Sequence, residues 1–186
     1  MPQRPQFLVP AFAAGSLEKL LTFDAGVLIA LGRRRSRRTT RFMQILTACG
    51  DTPSWLVHAV GVALVPGLGG WSTGALVATA ALAATVVVQP LKRTVKRPRP
   101  RADIRGIEAL ASDPDKFSFP SGHSAVAFAV AAAVAPIHPL LFGAEFLLAA
   151  GIGFSRVYLG AHYPLDVTTG VAIGTTCGVV VRYLPL

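Results

Sequence analysis

An all-α fold, a multi-pass transmembrane helical bundle of about five to six spans with interfacial N-terminal helices, is what this 186-residue sequence predicts. Composition is the first observation behind it: 52% of the residues are apolar and only 15% charged, and the mean hydropathy is +0.54. So few charges do not cover the surface of a water-soluble globule of this size. The second observation is a run from Thr52 to Leu91 with no Asp, Glu, Lys or Arg, longer than the roughly 20 residues that cross a bilayer. The third is the abundance of small residues in the apolar stretches, among them Ala125, Ala127, Ala129, Gly170, Gly174 and Gly178. Such residues let helices approach closely in lipid.

Residues 1–15 are rich in Pro and Ala and read as irregular. Leu17, Leu20, Leu21, Val27, Leu28 and Leu31 then share a helical face interrupted by Glu18, Lys19 and Asp24, which predicts an interfacial helix over 16–31. The apolar part from Val27 to Leu31 is short and runs into arginines, so no secretory signal is expected. Phe42, Ile45, Leu46 and Cys49 recur at helical spacing and predict a second amphipathic helix ending at Gly50-Asp51. The charge-free run is divided at Pro66-Gly67-Leu68-Gly69-Gly70 into spans over about 53–67 and 71–90. A polar loop, about 91–119, carries Pro98, Pro100 and Pro114. A third span opens at Pro120-Ser121-Gly122-His123 and runs to about Ala135, and Pro136-Ile137-His138-Pro139 turns the chain into a fourth, to about Phe154. A fifth runs from about Pro164 to Val181. Residues 16–186 thus read as a single membrane-embedded domain.

The net charge of +9 is concentrated in two clusters, Arg33 to Arg41 and Lys92 to Arg105. Beside apolar spans such clusters meet anionic lipid headgroups, so membrane lipids and not nucleic acid are the expected partners. Within the second cluster Arg93, Lys96, Arg97, Arg101 and Arg105 read as solvated, headgroup-facing residues. Glu145, the one acid of the fourth span, reads as a helix-facing or snorkelling side chain, and His58 and His138 as structural. Cys49 and Cys177 are far apart and have no Cys-x-x-Cys partner, which predicts neither a disulfide framework nor a zinc site.

Reactive side chains gather at the span borders. Pro164 suits the first position of a helix, which puts His162 just before the helix and Asp166 in its first turn. Four residues apart, the two can touch. A carboxylate accepting the proton of one imidazole nitrogen leaves the other nitrogen's lone pair free to attack an electrophile. Arg156 and Ser155 lie on the approach to that histidine. Counting spans brings the segments 92–100, 120–123 and 155–166 to one face. Three cations (Lys92, Arg99, Arg156), two histidines (His123, His162), a serine (Ser121) and one carboxylate suit a phosphoryl group better than a metal, which favours more carboxylates or thiolates. Ser121 is placed to cap its helix, and Gly122 lets an anion approach the free N–H groups there.

These three segments resemble the type 2 phosphatidic acid phosphatases, relatives of bacterial acid phosphatases and vanadium haloperoxidases. The family's K-x6-R-P, P-S-G-H and S-R-x5-H-x3-D motifs fall on Lys92 with Arg99-Pro100, on Pro120 to His123, and on Ser155-Arg156 with His162 and Asp166, in order and without a substitution. The resemblance implies that Lys92, Arg99, Ser121, Gly122 and Arg156 bind phosphate, that His123 is the general acid, that His162 forms a phosphohistidine and that Asp166 supports it. It implies neither metal nor other cofactor. The expected activity is hydrolysis of a lipid phosphomonoester or diphosphate of the phosphatidate, phosphatidylglycerophosphate or undecaprenyl diphosphate type. The alternatives are a catalytically silent lipid-binding or scaffold protein, or a lipid transporter, of the same fold. In the family the site usually faces away from the cytoplasm, whereas the basic clusters argue by the positive-inside rule for the cytoplasmic side; the extracytoplasmic side is expected, because the rule is statistical and the basic residues can serve an anionic substrate.

Overall fold

The structure, a computed structural model, describes residues 11–104, 107–112, 115–135 and 137–184. The expectations for residues 1–10, Arg105, Pro114 and Pro136 lie outside the described residues. The described residues form eight α-helices: α1 (Ala11–Gly32), α2 (Arg37–Ala48), α3 (Thr52–Leu64), α4 (Gly70–Val95), α5 (Pro100–Asp103), α6 (Gly122–Val134), α7 (Pro139–Tyr158) and α8 (Pro164–Val181). Among them there is no strand, only an isolated bridge between Pro98 and Phe117.

Local chemistry sets most of the helix ends. The Ser36 side chain accepts from the Thr39 N–H at 3.2 Å and starts α2, and Pro53, Pro139 and Pro164 stand in the first turns of α3, α7 and α8. Gly69, at φ 93°, makes the left-handed turn into α4. Helix α4 runs on to Val95, so Lys92 belongs to its last turn and the polar loop begins at Lys96. Residues 11–15, expected to be irregular, are helical, in keeping with the high helix propensity of Ala11, Ala13 and Ala14.

Three helices, α4, α7 and α8, are long and apolar enough to cross a membrane; α3 and α6 are apolar but only 13 residues each. Helix α6 packs against α4, α7 and α8, and its Ala125, Ala127, Ala129, Val130, Ala133 and Val134 are fully buried. Enclosed by neighbours on several sides, α6 need not match the bilayer thickness. Outward-facing positions carry large apolar side chains instead, including Leu56, Val60, Leu82, Val86 and Leu147. An apolar exterior of this kind is stable in hydrocarbon and not in water, so the chain is a membrane protein.

The seam between α6 and α8 depends on having no side chain. A Cβ at Gly174 would overlap the Ala125 carbonyl, and one at Gly178 that of Ala129. This contact brings the first turns of the two helices together, where the Ser121 N–H donates to the Asp166 carbonyl at 2.9 Å. Midway along the bundle, Glu145 of α7 is buried, and its Oε1 lies 2.5 Å from His58 Nε2 of α3. Of the two roles expected for Glu145, that pairing is the helix-facing one and not snorkelling, because the side chain has a partner inside the bundle.

Candidate active site

Backbone contacts draw the three polar segments into one cluster. The Ser118 N–H donates to the Arg97 carbonyl at 2.9 Å, and the Ser118 hydroxyl to that of Pro98 at 2.9 Å. Arg99 Nη1 donates to the Ala161 carbonyl at 2.9 Å. The residues before α6, after α4 and before α8 therefore hold one another, and Lys92, Arg99, Arg156, His162 and Asp166 are all buried within the cluster.

His162 lies between α7 and α8. Its Nδ1 is 2.6 Å from the Ser118 carbonyl oxygen, an atom that only accepts, which assigns the proton to Nδ1 and the lone pair to Nε2. Nε2 lies 3.4 Å from Arg99 Nη1. Burial, followed by the charges of Arg156, Arg99 and Lys92, holds the imidazole well below its ordinary value of 6.5. It is neutral at pH 7, with its unprotonated nitrogen accepting from Arg99 in a cationic surround.

Asp166 does not play the expected part of proton acceptor for that ring. Its Oδ2 is 3.7 Å from His162 Nδ1, too far for a hydrogen bond, while the Ser118 carbonyl stands nearer. Asp166 instead accepts from the Tyr163 N–H at 2.9 Å, capping α8, and pairs with Arg97 Nη1 at 2.7 Å. Arg97 turns its Nη2 to Asp24 of α1 at 2.8 Å, and the second oxygen of Asp24 accepts from the Leu165 N–H at 2.9 Å. The sequence reading of Arg97 as headgroup-facing is thus overturned: two fully buried carboxylates claim its guanidinium, which also lies 3.9 Å from the Tyr163 ring centroid. The Tyr163 hydroxyl donates to Asp103 at 3.0 Å, and burial together with that bond pushes its pKa up.

Ser155 also departs from expectation. Its hydroxyl donates to the Ile152 carbonyl at 2.6 Å, back into its own helix and not toward His162. Arg156 donates to the Thr47 hydroxyl at 2.7 Å, linking α7 to α2. Ser121 caps α6 as expected, accepting from the Ser124 N–H at 3.4 Å.

His123 Nε2 is 2.9 Å from Asp51 Oδ1, a carboxylate at the start of α3 that the sequence reading did not connect with the site. Gly50 permits this approach, since a Cβ there would meet His123 Cδ2 at 2.7 Å. A second unforeseen acid, Asp115, bridges two of the cations: Oδ2 to Lys92 Nζ at 2.7 Å and Oδ1 to Arg99 Nη2 at 2.9 Å. Burial alone would raise its pKa, but the Lys92 hydrogen bond and the Lys92 and Arg99 charges outweigh that and hold the carboxyl below its usual range.

A cleft of about 510 Å³ opens onto these groups. Lys92, Asp115, Gly122, His123 and Asp51 line its polar end, and Leu56, Ala78, Ala81, Leu82 and Val126 continue it between α3, α4 and α6. The cleft offers the Lys92 ammonium for an anionic headgroup and a hydrocarbon wall beside it, while Arg99, Arg156 and His162 are buried next to this end and are not part of its lining.

The PAP2 superfamily family model matches residues 73–186. The chain belongs to that superfamily. Among its relatives, decaprenylphosphoryl-5-phosphoribose phosphatase of Mycobacterium tuberculosis is 36% identical over 101 residues, 54% of this chain and 55% of that protein. The chain thus spans about half the length of the mycobacterial relative it matches. Lipid A 1-phosphatase of Rhizobium johnstonii is 30% identical over 176 residues, covering 83% of this chain and 70% of the relative. The crystal structure of Aquifex aeolicus LpxE superposes with a TM-score of 0.73 at 26% identity, over 84% of this chain and 92% of that one. Each PAP2 motif lies within the matched region.

Proposed function

We propose that the protein is an integral-membrane lipid phosphatase that hydrolyses a lipid phosphomonoester or diphosphate through a phosphohistidine. The observation that carries the reading is His162, neutral, with its unprotonated Nε2 facing the Arg99 guanidinium among buried cations. In this mechanism Lys92, Arg99, Arg156, the Ser121 hydroxyl and the α6 N-terminus with Gly122 hold the non-bridging oxygens. His162 Nε2 attacks phosphorus, and the bond to the lipid oxygen breaks. His123, with its Nε2 held on Asp51, gives a proton carried on its other ring nitrogen to the departing oxygen. The phosphoryl-imidazole keeps its Nδ1 proton on the Ser118 carbonyl. A water molecule then attacks phosphorus, His123 takes up the water's proton, the N–P bond breaks, and inorganic phosphate leaves with His162 restored. The lipid tail runs along the apolar part of the cleft.

Three fixed cations supply the charge stabilisation that a metal gives elsewhere, so the reaction needs none. Residues 16–186 act as one phosphatase unit, because Asp24 of α1 is bonded into the same polar cluster as Asp166. The test is phosphate release from a panel of monophosphate and diphosphate lipids in detergent. Release is expected from at least one of them, unchanged by EDTA and blocked by vanadate, which copies the trigonal-bipyramidal transferring phosphoryl group. Lipid binding without release overturns the enzymatic reading in favour of a lipid-binding protein, and loss in EDTA with recovery in magnesium overturns the metal-free mechanism.

The site is assigned to the side away from the cytoplasm. Much of the basic charge at this end is engaged internally: Arg35 donates to the Tyr158 and Glu108 carbonyls, Arg97 bridges two aspartates, and Lys92 and Arg99 hold Asp115. Such residues build the site and weigh less as topology signals. A single cysteine at Ala102, in a chain lacking Cys49 and Cys177, should react with a membrane-impermeant maleimide in intact cells. Labelling only after lysis reverses the assignment.

A further inference from the structure

Asp115 stands where the headgroup has to arrive. Its two oxygens span Lys92 Nζ and Arg99 Nη2 at 2.7 and 2.9 Å, as two non-bridging oxygens of a phosphoryl group would. The same carboxylate lines the polar end of the cleft with Gly122 and His123. Lys92 and Arg99 are 4% and 2% exposed, and cations so far from water are costly without an anion beside them. Asp115 is different: its side chain is 26% exposed and sits in the segment between α5 and α6, outside any helix. It can leave for water without unwinding a helix, whereas Lys92 is fixed on α4 and Arg99 is bonded to the Asp115 and Ala161 carbonyls.

Resting on the phosphatase reading, we propose that Asp115 is an internal ligand of the phosphate subsite: it neutralises Lys92 and Arg99 while the site is empty, yields to the arriving phosphoryl group, and returns as inorganic phosphate departs. The exchange has a thermodynamic consequence. Only the fraction of molecules with Asp115 swung away is competent to bind, so the apparent affinity for any phosphate is reduced by that fraction. Substrate and product are weakened alike. For product, this limits inhibition by the phosphate that each turnover leaves beside three cations.

The experiment is the binding of inorganic phosphate and of vanadate to detergent-solubilised protein by calorimetry, compared between the unaltered chain and Asp115→Asn. The asparagine keeps the shape and removes the charge, so both anions should bind about tenfold more tightly or better, while Asp115→Glu stays near the unaltered chain. Asp115→Ser, which cannot bridge the two cations, should tighten binding as the asparagine does and serves if that variant does not fold. If Asp115 merely positioned Lys92 and Arg99, both neutral variants would bind more weakly, and equal or weaker binding overturns the proposal while leaving the phosphate site in place. Failure of either anion to bind any form of the protein overturns the phosphate site itself, and this proposal with it.

Discussion

Replacing His162 by alanine should lower turnover by about 10⁴-fold or more, because the attacking nitrogen is lost with the ring. The protein should still fold. His162 lies in the short connection between α7 and α8, and the truncation leaves the Ser118 carbonyl without its partner at a cost of about 1–3 kcal/mol. His123→Ala should differ in kind. Without the general acid, a lipid alkoxide leaves poorly, whereas an aryl phosphate or a diphosphate leaves without being protonated. The loss should therefore be large, about 10²- to 10⁴-fold, for poor leaving groups and smaller for good ones. Equal losses on both would refute this division of labour. The pH profile gives a second check. Protonated His162 cannot attack, and its pKa is held well below 6.5 by burial and by the Arg156, Arg99 and Lys92 charges. The acid limb of activity arising from His162 must then lie below pH 6.5, and a limb at or above that value counts against His162 as the nucleophile.

The contrast between what the sequence disclosed and what it concealed follows from range. Lys92, Arg99, Ser121, His123, Arg156, His162 and Asp166 were legible because each reactive side chain borders a stretch of hydrocarbon character, where polar groups stand out. The capping of α6 by Ser121 and the start of α8 at Pro164 were legible because both are decided within four residues. The acids that pair with these groups were not. Asp51 meets His123 across 72 positions and Asp24 meets Arg97 across 73, and no local pattern encodes which carboxylate will reach which cation. Asp115 lies closer to its cations in sequence, but in a loop whose path depends on the whole cluster. The partner of the His162 N–H was misjudged for a related reason: spacing allows His162 and Asp166 to touch, but the Ser118 carbonyl arrives from another segment and accepts the Nδ1–H hydrogen bond. One signal was available. Leu20, Asp24, Leu28 and Leu31 fall on one helical face at steps of four, four and three, and an acid in the middle of an apolar stripe calls for a buried cation.

That acid carries the second large effect. Asp24 and Asp166 are both fully buried and share the Arg97 guanidinium at 2.8 and 2.7 Å. Arg97→Gln removes the shared cation and leaves two carboxylates in a place with little water to replace it. Breaking a buried pair from one side costs about 3–5 kcal/mol, and here one substitution breaks two. The expected result is a large fall in thermal stability in detergent, together with loss of phosphate release, because the first turn of α8 and the His162 connection are held through Asp166. Asp24→Asn alone should cost less, since Arg97 keeps Asp166 and the amide oxygen can still accept from the Leu165 N–H. Introduced into the Arg97→Gln chain, the same Asp24→Asn change removes one of the stranded charges and should restore part of the stability. The double mutant is then more stable than Arg97→Gln alone, a coupling that independent surface charges do not produce. Strict additivity of the two substitutions, or an Arg97→Gln protein as stable and active as the unaltered chain, would return Arg97 to the headgroup-facing role its sequence context suggests and detach α1 from the working of the site.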